Sequence, residues 1–228
     1  MTGLNQVVVC GWYTPDYRHW LPPLLTSLER QGAPHDFFEV PKVSAQWEAN
    51  TMRKPHEVAK ALDRHPDKVV IFIDVDCVVH GPLDALANIR GDVAFYVRTK
   101  YRRNGGMRFG TRSGTPVLRP TDMARAFVAN WVVAASEAPW GDVDQTPLAI
   151  AIGRTPGVCI EPLDVRYCAT EGDKVSDPII LHDSASRSVR KLKPLTRLLG
   201  RLLVPTIRFH GSAISTDDST QMTSRSSS

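Results

Sequence analysis

The run Val69-Val70-Ile71-Phe72-Ile73, closed by Asp74-Val75-Asp76, constrains this chain more than any other stretch. Five consecutive β-branched or aromatic residues without a polar face are too few for a comfortable helix, and they predict a strand covered on both sides, as in a parallel sheet. The two carboxylates then fall at the strand's carboxyl end, where ligands bind in open α/β sheets. Side chains alternate along a strand, so Asp74 and Asp76 are expected on one side, and like charges held that close repel unless a cation lies between them. Hard oxygen donors favour Mg2+ or Mn2+ over zinc, and such ions use one or two carboxylates together with substrate phosphates. The plainer alternative is that one Asp caps a helix and the other opens a turn.

The surrounding pattern predicts a sheet of this kind. Gln6 to Cys10 reads as a valine-rich first strand that Gly11 to Asp16 breaks into a loop before a Leu21 to Arg30 helix, with Gly32 as its stop. Phe37 to Val40 gives a second short strand, and a helix opening at Pro55 places Val58, Ala61 and Leu62 on one face before the carboxylate strand. Gly81-Pro82-Leu83 turns into a short helix, and Val93 to Val97 is another strand. Lys100 to Gly114 holds five Lys/Arg and four Gly without periodicity, which predicts a mobile loop over the site. Thr121 is a good cap for a helix from Asp122 to Ala135 with Met123, Ala126, Phe127, Trp131 and Ala134 turned inward. Leu148 to Ile152 ends a further helix at Gly153, and strands follow at Val158 to Glu161 and Ile179 to Leu181. This alternation predicts an α/β fold: one Rossmann-like domain with a mostly parallel central sheet flanked by helices.

With 228 residues, 42% of them hydrophobic, the chain can bury one real core. Its net charge of +4 is local, because Arg187 to His210 carries seven Lys/Arg and no acid; taking those seven from the chain's 28 bases leaves 21 against 24 acids, a net of −3. No basic face interleaved with aromatics is spread over the body, so nucleic acid is not an expected partner. Within the basic segment, Leu195, Leu198, Leu199 and Leu202 follow helical spacing while Lys193, Arg197 and Arg201 form a separate stripe. The segment 187–210 is therefore a candidate for peripheral contact with an anionic membrane surface, or for docking its leucines on the core. The Ser/Thr-rich stretch 211–228 predicts a disordered tail. Cys10, Cys77, Cys159 and Cys168 lack zinc-site spacing and are expected as small core residues. No leader pattern opens the chain and no run reaches bilayer length, so a cytoplasmic protein is expected, in contact with the inner face of the membrane if 187–210 binds it.

Three more places carry chemistry. Asp144-Gln145 stands just ahead of an apolar helical segment, His182 ends an apolar strand as the Asp pair ends its own, and Arg53 and Lys54 precede the helix that feeds the carboxylate strand. In this order, from about Val7 to His182, the features resemble a GT-A-type glycosyltransferase of the nucleotide-diphospho-sugar transferase group. The resemblance is carried by Arg53-Lys54-Pro55, the Phe72-Ile73-Asp74-Val75-Asp76 DxD motif, Ser113-Gly114, the Trp131 helix, Asp144-Gln145 and His182. It implies that residues 1–186 form a nucleotide-sugar-binding domain in which Asp76 coordinates Mn2+ or Mg2+, Asp74 contacts ribose or the metal, and His182 is a further metal ligand. It also implies that Tyr13 and Thr14 line the nucleotide pocket. Relatives often show Asn-x-Gly where this chain has Arg112-Ser113-Gly114.

Glycosyl transfer from a diphosphate requires negative charge to leave with the nucleotide, and a divalent ion on the phosphate oxygens stabilises it. Lys54 would add a positive contact to the nucleotide, unless it is an ordinary solvated base. Asp144 would deprotonate or orient an acceptor hydroxyl while Gln145 steadies the oxocarbenium-like centre, unless Asp144 merely caps the helix. The expected activity is hexosyl transfer from a nucleotide-diphosphate sugar to a saccharide or lipid-linked acceptor. Two alternatives stand beside it: a haloacid-dehalogenase-like phosphohydrolase with Asp74 as nucleophile, and a non-catalytic nucleotide-sugar-binding or scaffold module.

Overall fold

Valines at alternate positions of the first strand face two different layers, and that alternation organises the molecule. The computed structural model describes residues 4–44, 46–101, 107–139 and 141–182, so the segment 187–210 and the tail 211–228 lie outside the described residues. Strand β1 (Val7–Tyr13) leads through a 3-10 turn into helix α1 (Leu21–Arg30), then β2 (His35–Glu39), the short α2 (Trp47–Thr51), α3 (Lys54–Arg64) and β3 (Val69–Phe72). After β4 (Cys77–Val79) come a 3-10 turn at Asp84–Asn88 and the hairpin β5 (Val93–Tyr101) and β6 (Met107–Leu118). Helices α4 (Asp122–Ser136) and α5 (Gln145–Arg154) follow, and β7 (Ile160–Pro162), β8 (Ala169–Thr170) and β9 (Ile180–His182) complete the described fold.

The main sheet has six strands in the order β2-β1-β3-β6-β5-β7. β1 is parallel to both β2 and β3, and β5 is parallel to β7. Only β6 runs against its neighbours, because it returns from β5 as a hairpin arm and is inserted beside β3. Val7, Val9, Ile71 and Ile73 pack with Leu24 and Leu28 of α1 on one face. Val8, Cys10, Val70 and Phe72 meet Val58 and Leu62 of α3, Phe127 and Trp131 of α4, and Leu148 of α5 on the other. Each fully buried Leu or Phe contributes about 1.5–3 kcal/mol, so the double covering of β1 and β3 is the main source of stability in this centre. A second sheet, β4-β9-β8, lies in the described fold beside the carboxyl end of β3.

Several expectations are corrected. β1 does not break at Gly11 but continues to Tyr13, paired with Glu39; the glycine is needed for close approach, since a Cβ there would lie 2.6 Å from the Ile73 carbonyl oxygen and 2.3 Å from a Phe37 ring carbon. Lys100 to Gly114 is not a loop: its ends are the arms of the β5–β6 hairpin, with only 102–106 outside the described residues. The hairpin pairs through main-chain bonds that a base- and glycine-rich sequence makes as well as an apolar one. β3 ends at Phe72, so the alternation that was to align Asp74 with Asp76 does not extend to them. In α4 the buried positions are Ala124, Phe127, Val128, Trp131, Ala134 and Ala135, while Met123 is half-buried and Ala126 exposed, a stripe rotated by one residue at its start. Gly153 lies inside α5, which runs on to Arg154, and Cys159 is exposed while the other three cysteines are buried.

Candidate functional site

Four distant stretches of chain meet at the carboxyl ends of β1 and β3. Beyond Phe72 the chain stays pinned to the sheet, since the Ile73 N–H donates to the Cys10 carbonyl (2.9 Å) and the Asp74 N–H to the Gly114 carbonyl (3.3 Å). This presents the Asp74 carboxylate, about one-third exposed, to the start of α3. There Lys54 is buried, with its ammonium 2.6 Å from Asp74 Oδ1, 3.0 Å from Asp144 Oδ2 and donating to the Ser113 carbonyl at 3.2 Å. The ammonium thus stands in ion contact with two carboxylates while it donates to one carbonyl. Burial pulls the Lys54 pKa down, but the charges of Asp144 and Asp74 outweigh it and hold the amine protonated well above the usual lysine range.

Asp144 is placed by packing. The buried Trp131 of α4 donates its indole N–H to the Asp144 carbonyl at 3.2 Å. Asp144 stands at the N-cap position of α5 but its carboxylate makes no cap hydrogen bond; the neighbouring Asp142 Oδ1 accepts from the Val143 N–H (2.9 Å) and the Thr146 hydroxyl (2.8 Å). Its buried Oδ2 has the Lys54 ion contact but no hydrogen-bond partner of good geometry. Gln145, the next residue, is exposed, and its carbonyl accepts from the Thr111 hydroxyl at 3.4 Å.

His182 ends β9 directly opposite Cys77 of β4. Its ring is held between groups: Nε2 lies 2.9 Å from Thr115 Oγ1, Nδ1 lies 3.2 Å from Cys77 Sγ, and Nδ1 is 4.0 Å from Asp74 Oδ2. Gly114 supplies the space, because a Cβ there would come within 2.6 Å of the ring's Cε1. Burial lowers the His182 pKa to about 4. The unfolded chain therefore takes up this proton near pH 6.5 and the folded chain only near pH 4, so stability rises with pH across that window. For the metal-free protein, acidification from pH 6.5 to 4 is expected to cost up to about 3 kcal/mol through this residue. Denaturant titrations should show a shallower slope over that range in His182→Gln.

Ligand atoms of Asp76, Cys77 and His182 lie within 4.8 Å of one another. Bonds of about 2.1 Å place adjacent octahedral ligands about 3 Å apart and opposite ones about 4.2 Å apart. Asp74 Oδ2 stands 4.0 Å from His182 Nδ1, inside that range, and carboxylate and imidazole suit Mn2+ or Mg2+ in donor type. The tautomer that donates Nε2–H to Thr115 leaves the Nδ1 lone pair facing the carboxylates, as a coordinating histidine requires.

Tyr13 is half-buried at the end of β1, and Thr14 is buried with its hydroxyl donating to Asp16 Oδ1 at 2.5 Å. Arg53 points elsewhere, donating to the Pro41 carbonyl and to Glu57. Arg112 is also committed elsewhere, in a two-pronged pair with Asp173 (2.6 and 2.7 Å) and a bond to the Cys168 carbonyl. Asp173 in turn caps Thr170, which pairs with His182, so Arg112 fastens the small sheet to β6. Sequence reasoning missed Thr115, Cys77 and Tyr17. The phenol of Tyr17 is half-buried, and burial followed by the Asp76 charge raises its pKa. None of the three belongs to a local pattern; only the folded register brings them to the site.

No protein-family model and no curated protein matches this chain. Solved structures do. The crystal structure of a glycosyltransferase involved in the glycosylation of the major capsid of PBCV-1 aligns with a TM-score of 0.59 and 15% identity, over 82% of this chain and 98% of its own. The apo-form of the glycosyltransferase GlyE from Streptococcus pneumoniae TIGR4 aligns at 0.52 and 14% identity over 77% of this chain, and a second GlyE structure at 0.50. The chain spans about half of GlyE, 53% of its length. The mixed α/β architecture with its mostly parallel central sheet is thus a GT-A-like glycosyltransferase fold.

Proposed function

We propose that this chain is a metal-dependent glycosyltransferase that moves a hexose from a nucleotide-diphosphate sugar to a saccharide or lipid-linked acceptor. The observation that carries the reading is the convergence of Lys54, Asp74, Asp144 and His182, four residues from four separate segments, at the sheet end where GT-A-like folds and open α/β sheets hold ligands. Asp74, Asp76 and His182 are the proposed holders of Mn2+ or Mg2+, which when bound would offset charge on the diphosphate. Tyr13 and Thr14 are the proposed walls of the nucleotide pocket, with Asp74 also within reach of the ribose. Lys54, proposed as the positive contact of this pocket, stands beneath it in ion contact with Asp74 and Asp144 and donates to the Ser113 carbonyl, so that it orients the carboxylates and offsets their charge. Asp144 and Gln145 are the proposed acceptor-side pair, with exposed Gln145 next to the reacting carbon.

The phosphohydrolase alternative expects its aspartate strand first in the core, whereas β3 is the third strand in the chain and lies beside the antiparallel β6. A non-catalytic module would bind nucleotide without turnover. A panel of sugar nucleotides incubated with Mn2+ or Mg2+ separates the three: metal-dependent release of nucleoside diphosphate supports the transferase, hydrolysis of an aryl phosphate supports the phosphohydrolase, and binding with neither supports the module.

No helix among the described residues is long and apolar enough to cross a membrane. We propose a cytoplasmic enzyme whose basic segment 187–210 contacts an anionic membrane face, which would suit a lipid-linked acceptor. Co-sedimentation of the full chain with anionic vesicles, abolished by high salt and absent with neutral vesicles, is the expected result; equal sedimentation with both would remove the idea.

A further inference from the structure

Cys77 brings a third kind of donor to the carboxylate end of the sheet. It stands opposite His182 in the antiparallel β4–β9 pair, so both side chains project from one face, and its Sγ is 3.2 Å from Nδ1. The Asp76 carboxylate, contributed by the preceding residue, lies within 4.8 Å of both ligand atoms. Zinc bonds of about 2.3 Å to sulfur and about 2.0 Å to nitrogen set tetrahedral S and N ligands about 3.5 Å apart. The ring and the thiol therefore need to move by only a few tenths of an ångström. The imidazole is already oriented by Thr115 at Nε2 and by the bare backbone of Gly114 beneath it.

A second trio, Cys10, Asp36 and His65, also gathers its ligand atoms, but there Asp36 Oδ2 is shared by Arg64 Nε (2.8 Å) and His65 Nε2 (2.9 Å), and a guanidinium occupies the position a cation would need. The base beside the Cys77 trio, Lys54, is paired to Asp74 and Asp144, neither of them a member of the trio. Carboxylate and imidazole accept hard and borderline ions alike, whereas a thiolate selects soft ones.

We propose that Asp76, Cys77 and His182 form a thiolate-containing site for a soft divalent cation such as Zn2+, which competes with the harder ion that would hold a diphosphate. Binding forms a metal–sulfur bond and breaks the S–H bond, with the proton released to solvent. The inference rests on the reading of Asp76 and His182 as ion ligands and goes beyond it in the choice of ion. Physiologically it would make zinc an inhibitor of nucleotide binding.

Co2+ titration of the full chain tests this, because cobalt bound to thiolate absorbs strongly in the near ultraviolet. The expected result is one cobalt-thiolate equivalent per chain, displaced by Zn2+, lost in Cys77→Ser and kept in Cys10→Ser and Cys168→Ser. Zn2+ affinity should fall more than about 100-fold in Cys77→Ser, beyond the range that outer partners of a metal command. Should Cys77→Ser fail to fold, X-ray absorption of the zinc-loaded unmutated chain decides, with one sulfur per zinc expected and none overturning the proposal. A thiolate band that survives Cys77→Ser, or vanishes instead in Cys10→Ser or Cys168→Ser, also overturns it. Asp76-dependent Mn2+ binding without any thiolate band overturns the zinc site alone. A Cys77-dependent band in a chain that shows no Mn2+-assisted nucleotide binding supports the zinc site and removes the diphosphate reading.

Discussion

Replacing Lys54 with methionine is expected to destabilise the fold by about 3–5 kcal/mol, the cost of leaving a buried charge without its partner. The charge left behind is that of Asp144, whose side chain is only 6% exposed and whose Oδ2 has the Lys54 ion contact but no hydrogen-bond partner. Asp74, about one-third exposed, can turn to solvent and suffers less. The loss should therefore be rescued in part by Asp144→Asn in the same chain, since the double variant buries no orphan charge. A double-mutant cycle by urea unfolding measures this, with a coupling of roughly 0.5–3 kcal/mol expected for groups in direct contact. Additive losses in the two single variants would show that Lys54 and Asp144 do not act as a pair.

The second large effect falls on activity. Asp76→Asn keeps the size of the side chain but removes the negative charge that the proposed ion needs, and metal-dependent turnover of a sugar nucleotide should drop roughly 10²–10³-fold, the usual loss when one charge-stabilising contact to a transition state is deleted. The variant should keep a cooperative urea transition, so that the loss is one of turnover and not of folding. A full-rate Asp76→Asn enzyme would remove Asp76 from the ion site. A variant that is inactive because it unfolds is told apart by the same urea titration.

The sequence made the central frame legible because its strongest signals are local. The Val69–Ile73 run, the α1 span Leu21–Arg30 and the Thr121 cap, whose hydroxyl accepts from the Ala124 N–H, all depend on residues within a few positions of each other. The hairpin arms escaped because β6 is held by main-chain pairing with β3 and β5, and its composition of arginine, glycine and threonine carries no strand period. Of the small sheet, β9 was legible in the apolar run Ile179 to Leu181, whereas β4 and β8 escaped because two- and three-residue strands contain too few positions to show alternation.

At the site, Asp74, Asp76, Asp144 and His182 stood out as polar residues at element ends, and the fold brings Asp74, Asp144 and His182 into ionic reach of Lys54 or of one another. What could not be read was their wiring. Lys54 looks in the sequence like any base before a helix, and only the approach of Asp144 from a segment ninety positions away makes it a buried counter-ion. Thr115 carries no signal of its own and Gly114 stood out only as part of Ser113-Gly114, yet the two determine where the His182 ring lies and which nitrogen is left open. Arg112 is drawn away from the site by Asp173.

The central claim is that the Asp76–His182 corner grips a divalent ion which in turn holds a nucleoside diphosphate. Calorimetric titration of the full chain with uridine and guanosine diphosphates, with and without Mn2+, tests it most directly. At least one diphosphate should bind only when Mn2+ is present, and Asp76→Asn should abolish that dependence. Equal diphosphate binding with and without the ion, in the unmutated chain and the variant alike, would contradict the account.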